Sequence, residues 1–498
     1  MRVKIFRFWF LIPAILAAFA TIVPAAEVSD STMQDEIKVL KKMVLELQKR
    51  VHELEADRVK PGVGASPTVK RAEPAPGKKI PARPSQTKIK AAVKAPPEAE
   101  GPVVAKAGDS APAPLEIGGR QVRVGIAGAI QADMIHDFNA VGLTPGGSVQ
   151  REFVTASIPV GGPAVGNTNR TGFSPNQSYL EGWAETDTPW GPLRVYADVN
   201  LMGSTTAAEF QIYKAYGQWG WLKAGLDYTL WLNQAAMPDT LDFEGPNAIP
   251  EVRFTQASLK IPLQPGSEKR DLFFTVGVED AAGDITTPSG NPGIHSVDQI
   301  PAIIGKLSYE PGWTQIELGG LYRRLRAEGP GYDQTMNGWG VTLSGSVTTW
   351  KKDNFIWGVL YGDALGAYIQ DTSGLGLDAA PTSPTKNSNL KVIPAFGAWA
   401  AYQHWWTESL RSSATYGYVR MDTDSYPWPH ATPETGTYKQ THYASANLIW
   451  SPWPPFDVGL EYLFGHRTVT DNTAVDGSTT GQDHRVQFTM RWNFDWER

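Results

Sequence analysis

The chain has 498 residues, a formal net charge of -6, no cysteine, 19% charged and 41% hydrophobic residues, and 11% aromatics that include 18 Trp. Missing cysteine excludes disulfides, Cys-ligated metals and thiol chemistry, and the mild acidity argues against nucleic acid as a partner. Past the N-terminus no run of about 20 apolar residues occurs, which excludes further membrane helices but not a β-barrel, whose strands alternate apolar and polar residues.

Arg2, Lys4 and Arg7 precede the apolar run from Phe8 to Ala20, and the small residues Ala25 and Ala26 close it. That order identifies residues 1–26 as a secretory signal peptide. From Met33 onward Ile37, Leu40, Val44, Leu47, Val51 and Leu54 recur in steps of three and four. The 3.5-residue period predicts an α-helical coiled coil over residues 30–58, and so short a coil needs a self-association partner. β-branched residues at a with Leu at d favour a dimer. Arg50-Val51-His52-Glu53-Leu54-Glu55, however, resembles the Arg-h-x-x-h-Glu pattern of parallel trimers, with Arg50 and Glu55 flanking the seam. Residues 59–115 are rich in Pro, Ala and Lys, with ten Lys or Arg against four Asp or Glu. This composition predicts a disordered, basic linker.

Residues 116–498 show period-two alternation and no helical period. In the last segment Val486, Phe488, Met490, Trp492 and Phe494 oppose Arg485, Gln487, Thr489, Arg491 and Asn493. Strands are predicted near 121–138, 173–187, 192–202, 209–219, 221–233, 251–263, 270–281, 301–310, 312–327, 336–350, 352–371, 390–408, 410–422, 437–451, 455–469 and 483–494. Short and long connections alternate between them: Thr188-Pro189-Trp190-Gly191, Gly220 and Glu408-Ser409 are short, whereas 139–172, 234–250, 282–300, 328–335 and 372–389 are long. The expected fold is therefore a 16-stranded antiparallel transmembrane β-barrel of the outer membrane. Its two ends and the preceding coiled coil would lie in the periplasm. Trp190, Trp219, Trp221, Trp313, Trp350, Trp405, Trp406, Trp450 and Trp453 cluster near the short turns, as an interfacial girdle would require.

One segment carries a more specific signal. Lys214-Ala215-Tyr216-Gly217, Lys223-Ala224-Gly225, the run from Pro238-Asp239-Thr240-Leu241-Asp242-Phe243 to Glu244-Gly245-Pro246, and then Arg253 resemble the DcaP-like outer-membrane channel family. The resemblance implies a trimeric porin with a periplasmic coiled coil that takes up small organic anions such as dicarboxylates. Two departures stand out: Lys214 replaces a frequent Arg, and Asp495-Trp496-Glu497-Arg498 follows the aromatic that would end the last strand. A phosphate-selective porin is the second reading. A third is an envelope tether whose basic linker contacts peptidoglycan.

The loop after the fifth strand resembles in position the one that narrows general porins, and it carries Asp239, Asp242 and Glu244. Facing it on inferred lumen sides are Arg123, Arg194, Lys214, Lys223, Arg253, Arg323, Arg485 and Arg491, so a transverse field across a constriction is expected. Asp133, Glu181, Asp198, Asp227, Glu317 and Glu461 share those sides. If Arg323 points inward, Arg324 and Arg326 point outward, toward lipopolysaccharide or an outer funnel. His466 and Arg467 read as lumen solvation. The eight His are scattered without metal or catalytic spacing, so no enzyme, metal or cofactor is implied. The expected partners are outer-membrane lipid, lipopolysaccharide, small solutes and two further copies of the chain.

Overall fold

The computed structural model describes residues 115–117, 119–139, 152–161, 169–203, 208–264, 270–280, 282–288, 293–383, 385–424, 437–470 and 477–497. The signal peptide, the coiled coil with its seam from Ile37 to Leu54 and its flanking Arg50 and Glu55, and the linker up to residue 114 lie outside the described residues.

Sixteen antiparallel strands close into one barrel: β1 Arg120–Asp137, β2 Tyr179–Thr188, β3 Gly191–Asn200, β4 Gln211–Trp219, β5 Leu222–Tyr228, β6 Arg253–Pro262, β7 Leu272–Glu279 and β8 Ala302–Tyr309. There follow β9 Thr314–Gly329, β10 Tyr332–Trp350, β11 Asp353–Asp363, β12 Pro394–Thr407, β13 Leu410–Met421, β14 Tyr438–Trp453, β15 Phe456–Val469 and β16 Thr480–Glu497. Each strand pairs with its sequence neighbour, and β16 returns to β1 with Asp137 opposite Arg485 and Gly125 opposite Glu497. The seam is locked by an Arg485–Asp137 ion pair of 2.6 Å, both side chains buried.

Alternation produces this closure because the two faces meet different solvents. On β16 Arg485, Gln487 and Thr489 are at most 1% exposed inside, while Met490 and Trp492 are 45% and 48% exposed outside. A cation on the outer face at mid-bilayer would cost about 2–4 kcal/mol, and a closed barrel leaves no backbone group unpaired in hydrocarbon. The chain can satisfy both demands only with polar residues inside. Trp190 stacks on Trp219 with centroids 5.4 Å apart at the short-turn end, where Trp221, Trp313, Trp350, Trp406 and Trp453 are also exposed.

The strand boundaries differ from the sequence expectation by three residues or more at six places. The twelfth strand, expected from 390, begins at Pro394, because Leu390–Val392 pairs with Ala379–Pro381 in a separate two-stranded sheet. The second strand is interrupted: Arg170–Ser174 pairs with the upper part of β1, and Tyr179–Thr188 with the lower part. The fifth strand stops at Tyr228, and the eleventh at Asp363 where Ala364 takes a positive φ of 58°. The connection expected over 328–335 is a two-residue turn, with Gly329 opposite Tyr332 and Gly331 at φ 70°. Arg326 grips Asp333 with two hydrogen bonds of 2.9 Å, extending the ladder into a region that its polar composition marked as loop. Finally, β16 runs on past Phe494, placing Trp496 opposite Ile126.

Candidate functional site

The lumen is built from what folds into it. After Tyr228 the chain turns inward, helped by a short 3-10 turn over Gln234–Ala236 whose Asn233 side chain accepts from the Ala235 N–H. Trp231, 1% exposed, enters a slot where glycines replace wall side chains: a Cβ on Gly340 would lie 2.9 Å from its ring, and one on Gly319 3.1 Å. The loop then crosses to the far wall. Trp399 Nε1 donates to Ala236 O at 2.8 Å, Arg411 pairs with Asp239 at 2.6 Å, and Asn447 donates to Asp239 O at 2.8 Å. Glu461 accepts from Leu241 N at 2.6 Å and from Asp242 N at 2.8 Å. Asp242 closes the next turn by accepting from Gly245 N, and Gly245 supplies the left-handed φ of 65° that this turn needs. Thus the Pro238–Pro246 motif encodes an inward loop.

Two further connections pack on this loop. Residues 152–161 meet it through Phe153 N, which donates to Asp242 Oδ1 at 3.0 Å, and meet the wall through Arg467, which donates to Ile158 O at 3.1 Å. The connection after β11 ties in through Gln370, whose Nε2 donates to Glu244 O at 2.7 Å and Pro246 O at 2.9 Å. Its Asp371 accepts from Thr155 Oγ1, Ala156 N, Tyr438 OH and Thr441 Oγ1. Near the mouth Asp378 pairs with Arg323 at 2.8 Å, both buried. Burial pushes the Asp378 carboxyl up to about 6 even with that guanidinium beside it, and burial likewise raises Asp284, which accepts from Gly374 N and Gly376 N.

Between the inward loop and the wall of β4 to β6 lies a cavity of about 500 Å³. Phe243, Glu244 and Glu251 line it from the loop, and Gln211, Tyr213, Arg253 and Phe254 from the wall. Glu152 adds a third carboxylate. Arg253 lies 3.8 Å over the Tyr213 ring and donates to Tyr213 O at 3.1 Å. Tyr213 OH and Tyr228 OH both donate to Glu251, at 3.3 and 3.0 Å. Next along the same wall, Lys214 lies between the Tyr196 and Tyr228 rings and pairs with Asp198 at 3.2 Å. Lys223 sits 3.8 Å over Tyr216 and pairs with Asp227, and Arg194 sits 4.7 Å over Trp183. Tyr196 and Tyr216 stack on each other at 4.9 Å.

Four expected bases, Arg194, Lys214, Lys223 and Arg253, therefore share one wall, each against an aromatic ring. Glu244 faces the opening. Asp239 and Asp242 instead hold the loop, to Arg411 and to Phe153 N. Arg323 is not brought to this wall: it lies on β9, its guanidinium closed off by Asp378. Arg324 and Tyr322 are exposed on the outer face, and Arg326 turns the same way. His466 also faces outward, beside an inward, 3% exposed Arg467; neighbouring residues of one strand cannot both face the lumen. Sequence reasoning missed Tyr213 and Glu251. Ile212 is 63% exposed outside while Lys214, two residues on, pairs inside with Asp198, because the β3–β4 register shifts at Asp198/Val199 and Tyr213 is the extra residue. That polarity conflict between Ile212 and Lys214 was the available signal.

The model of the family described as Porin subfamily matches residues 161–487. In fold the chain is similar to the outer membrane channel DcaP of Acinetobacter baumannii, with a TM-score of 0.62 and 17% identity, over 77% of this chain and 100% of that one. An anion-selective porin from Comamonas acidovorans matches at a TM-score of 0.43 and 10% identity, over 75% of this chain and 99% of that one. No curated protein sequence matches. With sixteen closed strands, an inward loop after the fifth, and a family match over most of the barrel, the chain belongs to the porin subfamily.

Proposed function

We propose that this chain is an outer-membrane porin for passive diffusion of small hydrophilic solutes, with a preference for small organic anions such as dicarboxylates. The observation that carries the reading is the opening of about 500 Å³ in which Arg253, beside Tyr213 and Phe254 of the wall, faces Glu152, Glu244 and Glu251. Charges of opposite sign across a narrow, water-filled gap orient dipolar solutes. Arg253 keeps guanidinium donors beyond the one spent on Tyr213 O, and its planar fork suits a carboxylate. The rings of Tyr213, Phe243 and Phe254 in the lining give an organic body a surface that inorganic phosphate cannot use. Because Lys214 and Lys223 are already paired with Asp198 and Asp227, the phosphate-selective reading is the weaker one.

In the cell the short-turn end would face the periplasm, where β1 begins and β16 ends. The coiled coil of residues 30–58 would there gather three barrels. The zero-current potential of the purified protein in a planar bilayer under a KCl gradient tests the selectivity. The reading expects a chloride-favouring sign, block of the current by millimolar succinate, and loss of both in Arg253→Gln. A potassium-favouring sign with no effect of succinate would overturn it.

A further inference from the structure

Four of the eight histidines gather on one stretch of the outer face. His442, His466, His484 and His136 lie on β14, β15, β16 and β1, which are adjacent, each near the long-loop end of its strand. Their chain neighbours Tyr443, Arg467, Arg485 and Asp137 are at most 3% exposed and turn into the lumen, so alternation sets the imidazoles outside. The four form a continuous ribbon. His442 stands directly opposite His466 with ring centroids 5.9 Å apart, and His484 lies opposite Phe464 at 5.0 Å. Phe138 N donates to His484 O at 2.9 Å, and the Phe138 ring meets His136 at 4.5 Å.

The ribbon sits at a boundary. Toward mid-barrel the same outer face continues into Leu448, Leu460, Met490 and Ile130, all at least 41% exposed. Toward the loops come Arg420 and Lys439, both paired with Asp424, at 3.3 and 2.9 Å, with Asp422 exposed on the same side. The carboxylates of these strands at this level, Asp137 and Asp483, face inward and are buried. Three imidazoles also have Nδ1 engaged by a hydroxyl: Tyr416 with His442 at 2.7 Å, Tyr462 with His484 at 2.5 Å, and Thr171 with His136 at 2.8 Å. Where the hydroxyl donates to Nδ1, the ring proton stands on Nε2, and an anion at Nε2 selects that tautomer or the imidazolium.

We propose that this ribbon docks the phosphate-bearing headgroup of a membrane lipid at the long-loop face. The Nε2 groups donate to phosphate oxygens, Arg420 and Lys439 add cationic donors beside them, and the Tyr and Phe rings lie along the first methylenes, as interfacial aromatics do. The proposal rests on the barrel spanning a membrane.

The test is retention, by the purified full-length protein in detergent, of diphosphorylated lipid A against its dephosphorylated counterpart, read by native mass spectrometry. The unaltered protein is expected to hold the phosphorylated lipid on the order of tenfold more tightly, the effect of one or two charge-assisted hydrogen bonds. The variant H442N/H466N/H484N is expected to lose that preference. Equal retention of the two lipids by the unaltered protein would overturn the proposal whatever the variant does. A variant that keeps the preference, or that dissociates into single barrels with lipid binding unchanged, would overturn it as well, the latter marking the ribbon as a contact between copies. Channel current is read separately, so lost lipid preference with normal current leaves the porin reading standing, and absent current with lipid preference does the reverse.

Discussion

Replacing Glu461 with Ala should loosen the inward loop. Glu461 is fully buried and accepts two backbone hydrogen bonds, from Leu241 N at 2.6 Å and Asp242 N at 2.8 Å. A buried backbone N–H left without its acceptor costs about 1–3 kcal/mol, so the gross attachment lost is about 2–6 kcal/mol. Lumen water then solvates the freed N–H groups and recovers part of this. Gln487 donating to Leu241 O and Asn247 donating to Thr441, both at 2.8 Å, keep the loop partly in place. A net cost of about 2 kcal/mol remains, which raises the displaced population by about thirtyfold. Single-channel recording reads this as excursions to larger conductance and increased open-channel noise. Adding Arg411→Ala, which severs Asp239, should raise the mean conductance further. If E461A records like the unaltered channel in amplitude and noise, the loop is not held by these bonds and the reasoning fails.

Other predictions follow from the same packing. In Gly481→Ala the new Cβ would stand 2.0 Å from Pro159 O, so residues 152–161 should be pushed away, with higher conductance and new protease cleavage in that segment. Uncleaved, unchanged channels would refute the placement. Asp378→Asn leaves Arg323 buried without its counter-ion, a loss of about 3–5 kcal/mol, and should expose residues 364–393 to proteolysis. The double variant Arg323→Met/Asp378→Leu should restore protection, and a D378N protein as resistant as the parent would count against the latch. Deleting residues 30–58 should weaken the oligomer on native gels without altering the barrel's strand content; an unchanged oligomer would separate assembly from the coil.

The barrel was legible because period-two alternation reports two faces directly, and the number of strands follows from counting them. It does not report what a face touches. Trp231, Leu232, Tyr368 and Ile369 read as extensions of strands 5 and 11, yet they are at most 3% exposed inside the lumen, packed on other loops instead of lipid. The same ambiguity hid the tight Pro330-Gly331 turn, where polar residues continue a ladder that has left the bilayer. Bases on the β3–β6 wall were found because alternation held there. Tyr213 was not, because one inserted residue reverses the parity. Arg323 was assigned to the right face but not to its partner, since Asp378 lies 55 residues away in sequence, in a loop without a period.

The central claim is that this barrel conducts through the gap left by its inward loop. Single-channel current of the purified full-length protein in a planar bilayer tests it most directly. The structure predicts discrete, ohmic openings of small amplitude that grow when the loop is released by E461A/R411A. A folded, heat-modifiable barrel that inserts but passes no current, in both the parent and the released variant, would contradict it.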